Sequence, residues 1–74
     1  MIDLSSPQAI IAQHFMRDVK GIRNATPHDV EKLDDQPCWY FYYTLPQGEL
    51  ELEVSWNEED DDWETTVTAF PVTI

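Results

Sequence analysis

The sequence predicts an α+β domain: an N-terminal helix packed on a three-stranded antiparallel β-meander, with a second short helix as an option between them. Three observations carry this. Leu50, Leu52, Val54 and Trp56 alternate with Glu49, Glu51, Glu53 and Ser55, the period of a strand with one face in a core and the other in water. The flanking segments Cys38–Leu45 and Trp63–Val72 are rich in aromatic and β-branched residues, which favour a pleated, half-buried surface. Near the N-terminus, Ser6-Pro7 precedes apolar residues at helical spacing.

Taken in order, Met1–Ser5 is a lead-in whose Ile2 and Leu4 are expected beneath the first helix. Ser6 can accept an orphan backbone N–H as N-cap, and Pro7 loses nothing at the first helical position. Ile11, Phe15, Val19 and Ile22, flanked by Ala12 and Met16, form the expected buried stripe. The helix should end around Val19–Arg23, where Gly21 weakens it and Asn24 can stop it. Thr26-Pro27-His28-Asp29 repeats the cap-plus-proline pattern, so a short helix over Pro27–Leu33 is one reading. An irregular connection is the other, because Val30 and Leu33 are all it has to bury. Asp34-Asp35-Gln36-Pro37 has turn chemistry. Pro46-Gln47-Gly48 makes the first hairpin turn, with Gly48 available for a positive φ, and Asn57–Asp62 makes the second. In the last strand Trp63, Thr65, Val67 and Ala69 share one face and Glu64, Thr66, Thr68 and Phe70 the other.

A chain of 74 residues that is 42% hydrophobic and 12% aromatic is expected to form one folded domain with a core just sufficient for its size. One cysteine excludes an internal disulfide. No apolar run resembles a signal peptide or a membrane span, so a cytoplasmic protein is expected.

The net charge of −11 is unevenly placed. Residues 1–32 balance Asp3, Asp18, Asp29 and Glu31 against Arg17, Lys20, Arg23 and Lys32. Residues 33–74 hold the other eleven acids and no Lys or Arg. Such a field repels nucleic acid and anionic lipid and attracts basic protein surfaces. Direct nucleic-acid binding and membrane binding are therefore excluded as expected roles.

No constellation for catalysis or cofactor binding is visible. His14 and His28 are too far apart for a zinc pair, and Cys38 beside Trp39 reads as a strand residue. No Ser, Cys or Lys has an activating partner nearby, so an enzyme is not expected. The acidic loop lacks the alternating ligands and central glycine of an EF-hand, which leaves weak calcium binding through Glu58–Asp62 as a minor reading and no resident metal or cofactor.

If Trp39, Phe41, Tyr43 and Leu45 join Leu50, Leu52, Val54 and Trp56 in the core, then Tyr40, Tyr42 and Thr44 lie outside with Glu49, Glu51 and Glu53. A one-residue slip would reverse this. Phenols between carboxylates make a recognition surface: Tyr gives rigid contact area and the acids pair with Arg and Lys. An outer sheet face is ordinarily polar, but ordinary surfaces intersperse both signs. The expected partner-binding set is Tyr40, Tyr42, Glu49, Glu51, Glu53, Glu58, Glu59, Asp60, Asp61, Asp62 and Glu64. Spaced carboxylates can stand in for phosphates and Tyr rings for stacked bases. In size, acidity and lack of catalytic residues the chain is similar to anti-restriction and anti-CRISPR proteins of phage, uracil-glycosylase inhibitors and nuclease immunity proteins, a likeness of type with no shared motif. The expected function is thus a nucleic-acid mimic that blocks a basic nuclease or CRISPR-type effector. The alternative is a bacterial assembly or homo-oligomer subunit whose acidity serves solubility, pairing through an exposed final strand.

Overall fold

The computed structural model describes residues 4–71, with backbone alone for 69–71. One helix, α1 (Pro7–Asp18), is followed by four strands: β1 (Asp29–Lys32), β2 (Cys38–Leu45), β3 (Gly48–Asn57) and β4 (Asp62–Pro71). They form one antiparallel sheet in the order β1-β2-β3-β4. The α+β class and the antiparallel sheet agree with the sequence reading. The predicted end of the last strand, Val72, and the lead-in residue Ile2 lie outside the described residues.

α1 begins as its cap chemistry requires. Ser6 has extended dihedrals (φ −69°, ψ 154°), its hydroxyl accepts the Ala9 N–H at 3.3 Å, and Pro7 opens the helix. Beyond Asp18 the chain unwinds: Gly21 takes φ +72° while the Ile22 N–H donates to the Met16 carbonyl at 2.8 Å, and Asn24 takes φ +58°. The buried stripe is rotated from the expected one. Ala9, Ala12 and Met16 form its centre, Ile11, Phe15 and Ile22 pack at its margin, and Val19 is 65% exposed. The two alanines bring the helix backbone close to the sheet, a role that side-chain size in the sequence does not advertise.

The expected helix over Pro27–Leu33 is instead β1. Fewer than two helical turns with two apolar residues cannot offset the cost of nucleation. Beside β2, the same residues gain ladder hydrogen bonds to a strand already held on its other side. The register sets Val30 against Phe41 and Asp29 against Tyr42, and the His28 N–H donates to the Tyr42 carbonyl at 2.8 Å.

β2 and β3 pair without a slip from Cys38↔Ser55 to Leu45↔Gly48. Gly48 turns the chain at φ +142°, in the region glycine favours. This places Trp39, Phe41 and Tyr43 on the inner face with Leu50, Leu52 and Val54. Phe41, Tyr43, Leu50, Leu52 and Val54 form one buried cluster with Ala9, Ala12 and Met16 of α1. At the far end, Trp56 meets Trp63 edge-on with centroids 5.2 Å apart, and Trp39 lies 5.8 Å from Trp63.

Tyr43 is 1% exposed, and its hydroxyl has no hydrogen-bond partner among the described residues. Burial pushes its pKa from 10 up to about 12. The fold therefore favours the neutral phenol, a contribution fully present below the unfolded value near 10 and lost as pH rises through about 12. Tyr43→Phe should raise stability at pH 7 by about 1 kcal/mol by removing an unpaired buried hydroxyl. It should also flatten the loss of stability between pH 10 and 12. Urea melts across that range check both points. A lower midpoint for the variant at pH 7 would show that the hydroxyl earns more in the fold than it costs.

Candidate functional site

The sheet register arranges the outer face in rungs. Asp29, Tyr42, Glu51 and Thr68 stand side by side across β1 to β4, and Glu31, Tyr40, Glu53 and Thr66 form the next rung. Beyond them Cys38, Ser55 and Glu64 make a third, and Asn57 faces Asp62 at the mouth of the loop. At the opposite end Thr44 faces Glu49. Read down the strands, a column of acids on β1 and another on β3 flank a column of tyrosines on β2. Two strand spacings put the acid columns about 10 Å apart, and neighbouring acids within a column are about 7 Å apart.

Of the residues expected to contact a partner, Tyr40, Tyr42, Glu49, Glu51, Glu53, Asp62 and Glu64 stand on this face. Tyr40, Tyr42, Glu51 and Glu53 are half-buried, and Glu49, Asp62 and Glu64 are exposed. Glu58, Glu59, Asp60 and Asp61 form the exposed loop that continues the face beyond β3. Asp29 and Glu31 join it from β1. Sequence reasoning missed both, because Asp29-Val30-Glu31-Lys32 has a single apolar residue and so no period-2 signal of its own.

Tyr42 is a neutral donor. The Tyr42 hydroxyl donates to Glu31 Oε2 at 2.9 Å, and that bond, with burial and nearby carboxylates, pushes its pKa up to about 12. Tyr40 is also shifted upward, chiefly by its contact with the Cys38 thiol and then by Glu53. Burial pushes the Cys38 thiol up, and the Glu53 carboxylate adds to the shift. A thiol held in that direction is a poor source of thiolate.

Asn57 orders the acidic loop. Its side-chain oxygen accepts the backbone N–H groups of Glu59 (2.9 Å) and Asp60 (3.3 Å), and its amide donates to Glu64 Oε1 (2.8 Å) and Asp60 Oδ2 (3.3 Å). The loop is thereby tied to the sheet face, with Asp61 at φ +53° closing the turn. A hollow of about 540 Å³ opens between this loop and the β1–β2 turn, its lining including Glu53, Glu58, Glu59 and Glu64. Among the described residues no three His, Cys, Asp or Glu side chains are grouped to hold a metal ion.

The bases stand elsewhere. Arg17 pairs with Asp18 at 2.9 Å, which holds the Asp18 carboxyl below its usual value, and His14 lies 4.0 Å from the same carboxylate. Lys32 has inner-face parity opposite Trp39. Its ammonium sits 5.5 Å from the Trp39 ring centroid and donates to the Leu33 carbonyl at 3.0 Å. Among the described residues, both ion pairs lie within α1 and no Lys or Arg occupies an outer-face position.

No family model, curated protein or solved structure matches the chain. Among the described residues no helix is long and apolar enough to cross a membrane.

Proposed function

We propose that the outer sheet face and the Glu58–Asp62 loop are a docking surface for a basic protein, and that the chain acts as a nucleic-acid mimic. In this reading it occupies the nucleic-acid groove of a nuclease or CRISPR-type effector and blocks it without chemistry of its own. The observation that carries the proposal is the two acid columns on one face, flanking Tyr40 and Tyr42, with no cation among them. An uncompensated row of like charge is a cost to a small fold. A partner bearing Arg and Lys offsets that cost and gains charge-assisted hydrogen bonds.

Glu49, Glu51, Glu53 and Glu64 would meet the partner's cations, Tyr40 and Tyr42 would supply the apolar contact, and Glu58, Glu59, Asp60, Asp61 and Asp62 would steer the approach. The cytoplasm is where such an effector meets nucleic acid, and it is the location this reading implies.

The test is competition. Proteins captured on the immobilised chain should be released by a short duplex oligonucleotide and by raising salt from 0.1 to 0.5 M, because both act on the same electrostatic contacts. Their nucleic-acid binding should fall as the free chain is added. Partners that hold the chain and a duplex at once, or that stay bound at 0.5 M salt, would refute mimicry.

A further inference from the structure

We infer that β4 is a self-pairing edge, and that two copies of the chain join through it, antiparallel, into one eight-stranded sheet. The inference does not depend on the docking reading. β4 ends the strand order, so one side of its backbone has no strand neighbour among the described residues. Its register with β3 runs unbroken from Asn57↔Asp62 to Gly48↔Pro71, with no bulge to twist the edge away. It carries no Lys, and its one proline is the last residue, Pro71. Of the devices that ordinarily protect an edge, β4 has acids at its start and a proline at its end, and none across Thr65–Thr68. The other edge, β1, is four residues long and carries Lys32.

The placement of charge along the strand selects the direction of a second copy. Asp62 and Glu64 lie at the start of β4, and the following Thr65-Thr66-Val67-Thr68 is uncharged. A parallel copy would set acid against acid. In an antiparallel copy centred on Thr66, Glu64 faces Thr68 of the other chain and Thr66 faces itself, so the carboxylates of each chain meet an uncharged partner. A two-fold axis normal to the sheet keeps both outer faces on one side and both helices on the other.

The inner face supports the same occupant. α1 covers the centre of the sheet, and at β4 Trp63 and Val67 remain half-buried while Thr65 is exposed. In the register centred on Thr66, Thr65 lies beside Val67 of the other copy, and the two partly covered margins merge into one floor between the helices.

The unaltered full chain should show a concentration-dependent rise in sedimentation toward twice 8.7 kDa. The rise should strengthen with salt, which screens the repulsion between two acidic copies. Salt weakens the proposed docking to a basic protein, so the two readings fail independently. Thr66→Asp and Thr66→Lys each set like charges against themselves and should weaken pairing by about tenfold or more. Mixed in equal amounts they should pair again as a heterodimer. Hydrogen exchange on the unaltered chain needs no variant: β4 amides should gain protection as concentration rises.

A chain that stays monomeric to millimolar concentration would overturn the inference. So would β4 exchange independent of concentration, single variants that still dimerise, or a mixture that does not recover pairing.

Discussion

Replacing Glu49, Glu51 and Glu53 together by lysine should abolish capture of a basic partner, lowering affinity on the order of 1,000-fold, while leaving the fold intact. The two halves of this expectation have separate physical sources. Each reversal turns an attractive contact repulsive, and close charge pairs at interfaces carry coupling energies of roughly 1.5 kcal/mol and upward. Two or three such losses give the factor stated, at about 1.4 kcal/mol per decade. Within the chain the same change is favourable. Glu51 and Glu53 lie across the tyrosines from Asp29 and Glu31, and each reversal moves the formal charge of −11 two units toward neutrality. The urea midpoint should therefore hold or rise, which separates a lost surface from a lost fold. Lys20→Glu, at an exposed position after α1, serves as the control and should leave capture unchanged. If the triple variant retrieves the same partners as the unaltered chain, the carboxylate face is not where they dock.

How far the sequence discloses this surface depends on what each residue's period reveals. β3 is legible because polar and apolar residues alternate along it without exception from Glu49 to Trp56. The start of α1 is legible because Ser6 and Pro7 act locally, through one hydroxyl and one ring. β2 is strand-like by composition but silent about its faces, since Trp39, Tyr40, Phe41, Tyr42 and Tyr43 are all aromatic. Its register is imposed from β3, whose alternation assigns Tyr40 and Tyr42 to the outer side. β1 is not legible at all as a strand. Four residues with one apolar side chain pointing inward have no reason of their own to extend, and the reason is supplied by the unpaired edge of β2, which the turn at 33–37 brings alongside. The acid column of Asp29 and Glu31 is hidden in the sequence for that cause, since the strand that aims these residues has no local signature. The stripe on α1 differs from the one its spacing predicts for a related reason. Ala9 and Ala12 earn burial through how closely the helix can approach the sheet, which depends on the sheet being there.

Phe41→Ala should leave the chain largely unfolded at 37 °C. Phe41 is 1% exposed and stands between Val30 of β1 and Leu52 of β3, at the centre of the cluster that α1 covers. Truncating a buried phenylalanine costs about 3–5 kcal/mol through lost transfer energy and the cavity left behind. A domain of 74 residues holds about 4–11 kcal/mol in all, and crowded carboxylates draw it toward the lower end. The loss is therefore comparable to the whole reserve. Phe41→Leu, which keeps most of the volume, should cost about 1 kcal/mol and stay folded. Near-UV circular dichroism and urea titration at neutral pH separate the two, since the neighbouring Trp and Tyr rings report packing. An alanine variant with an unshifted urea midpoint would mean that Phe41 is not the keystone of this core. The same substitution bears on the binding surface: Phe41 anchors the inner side of the strand whose outer side displays Tyr40 and Tyr42. A chain that loses it should lose partner capture together with its fold, whereas the triple lysine variant should lose capture alone.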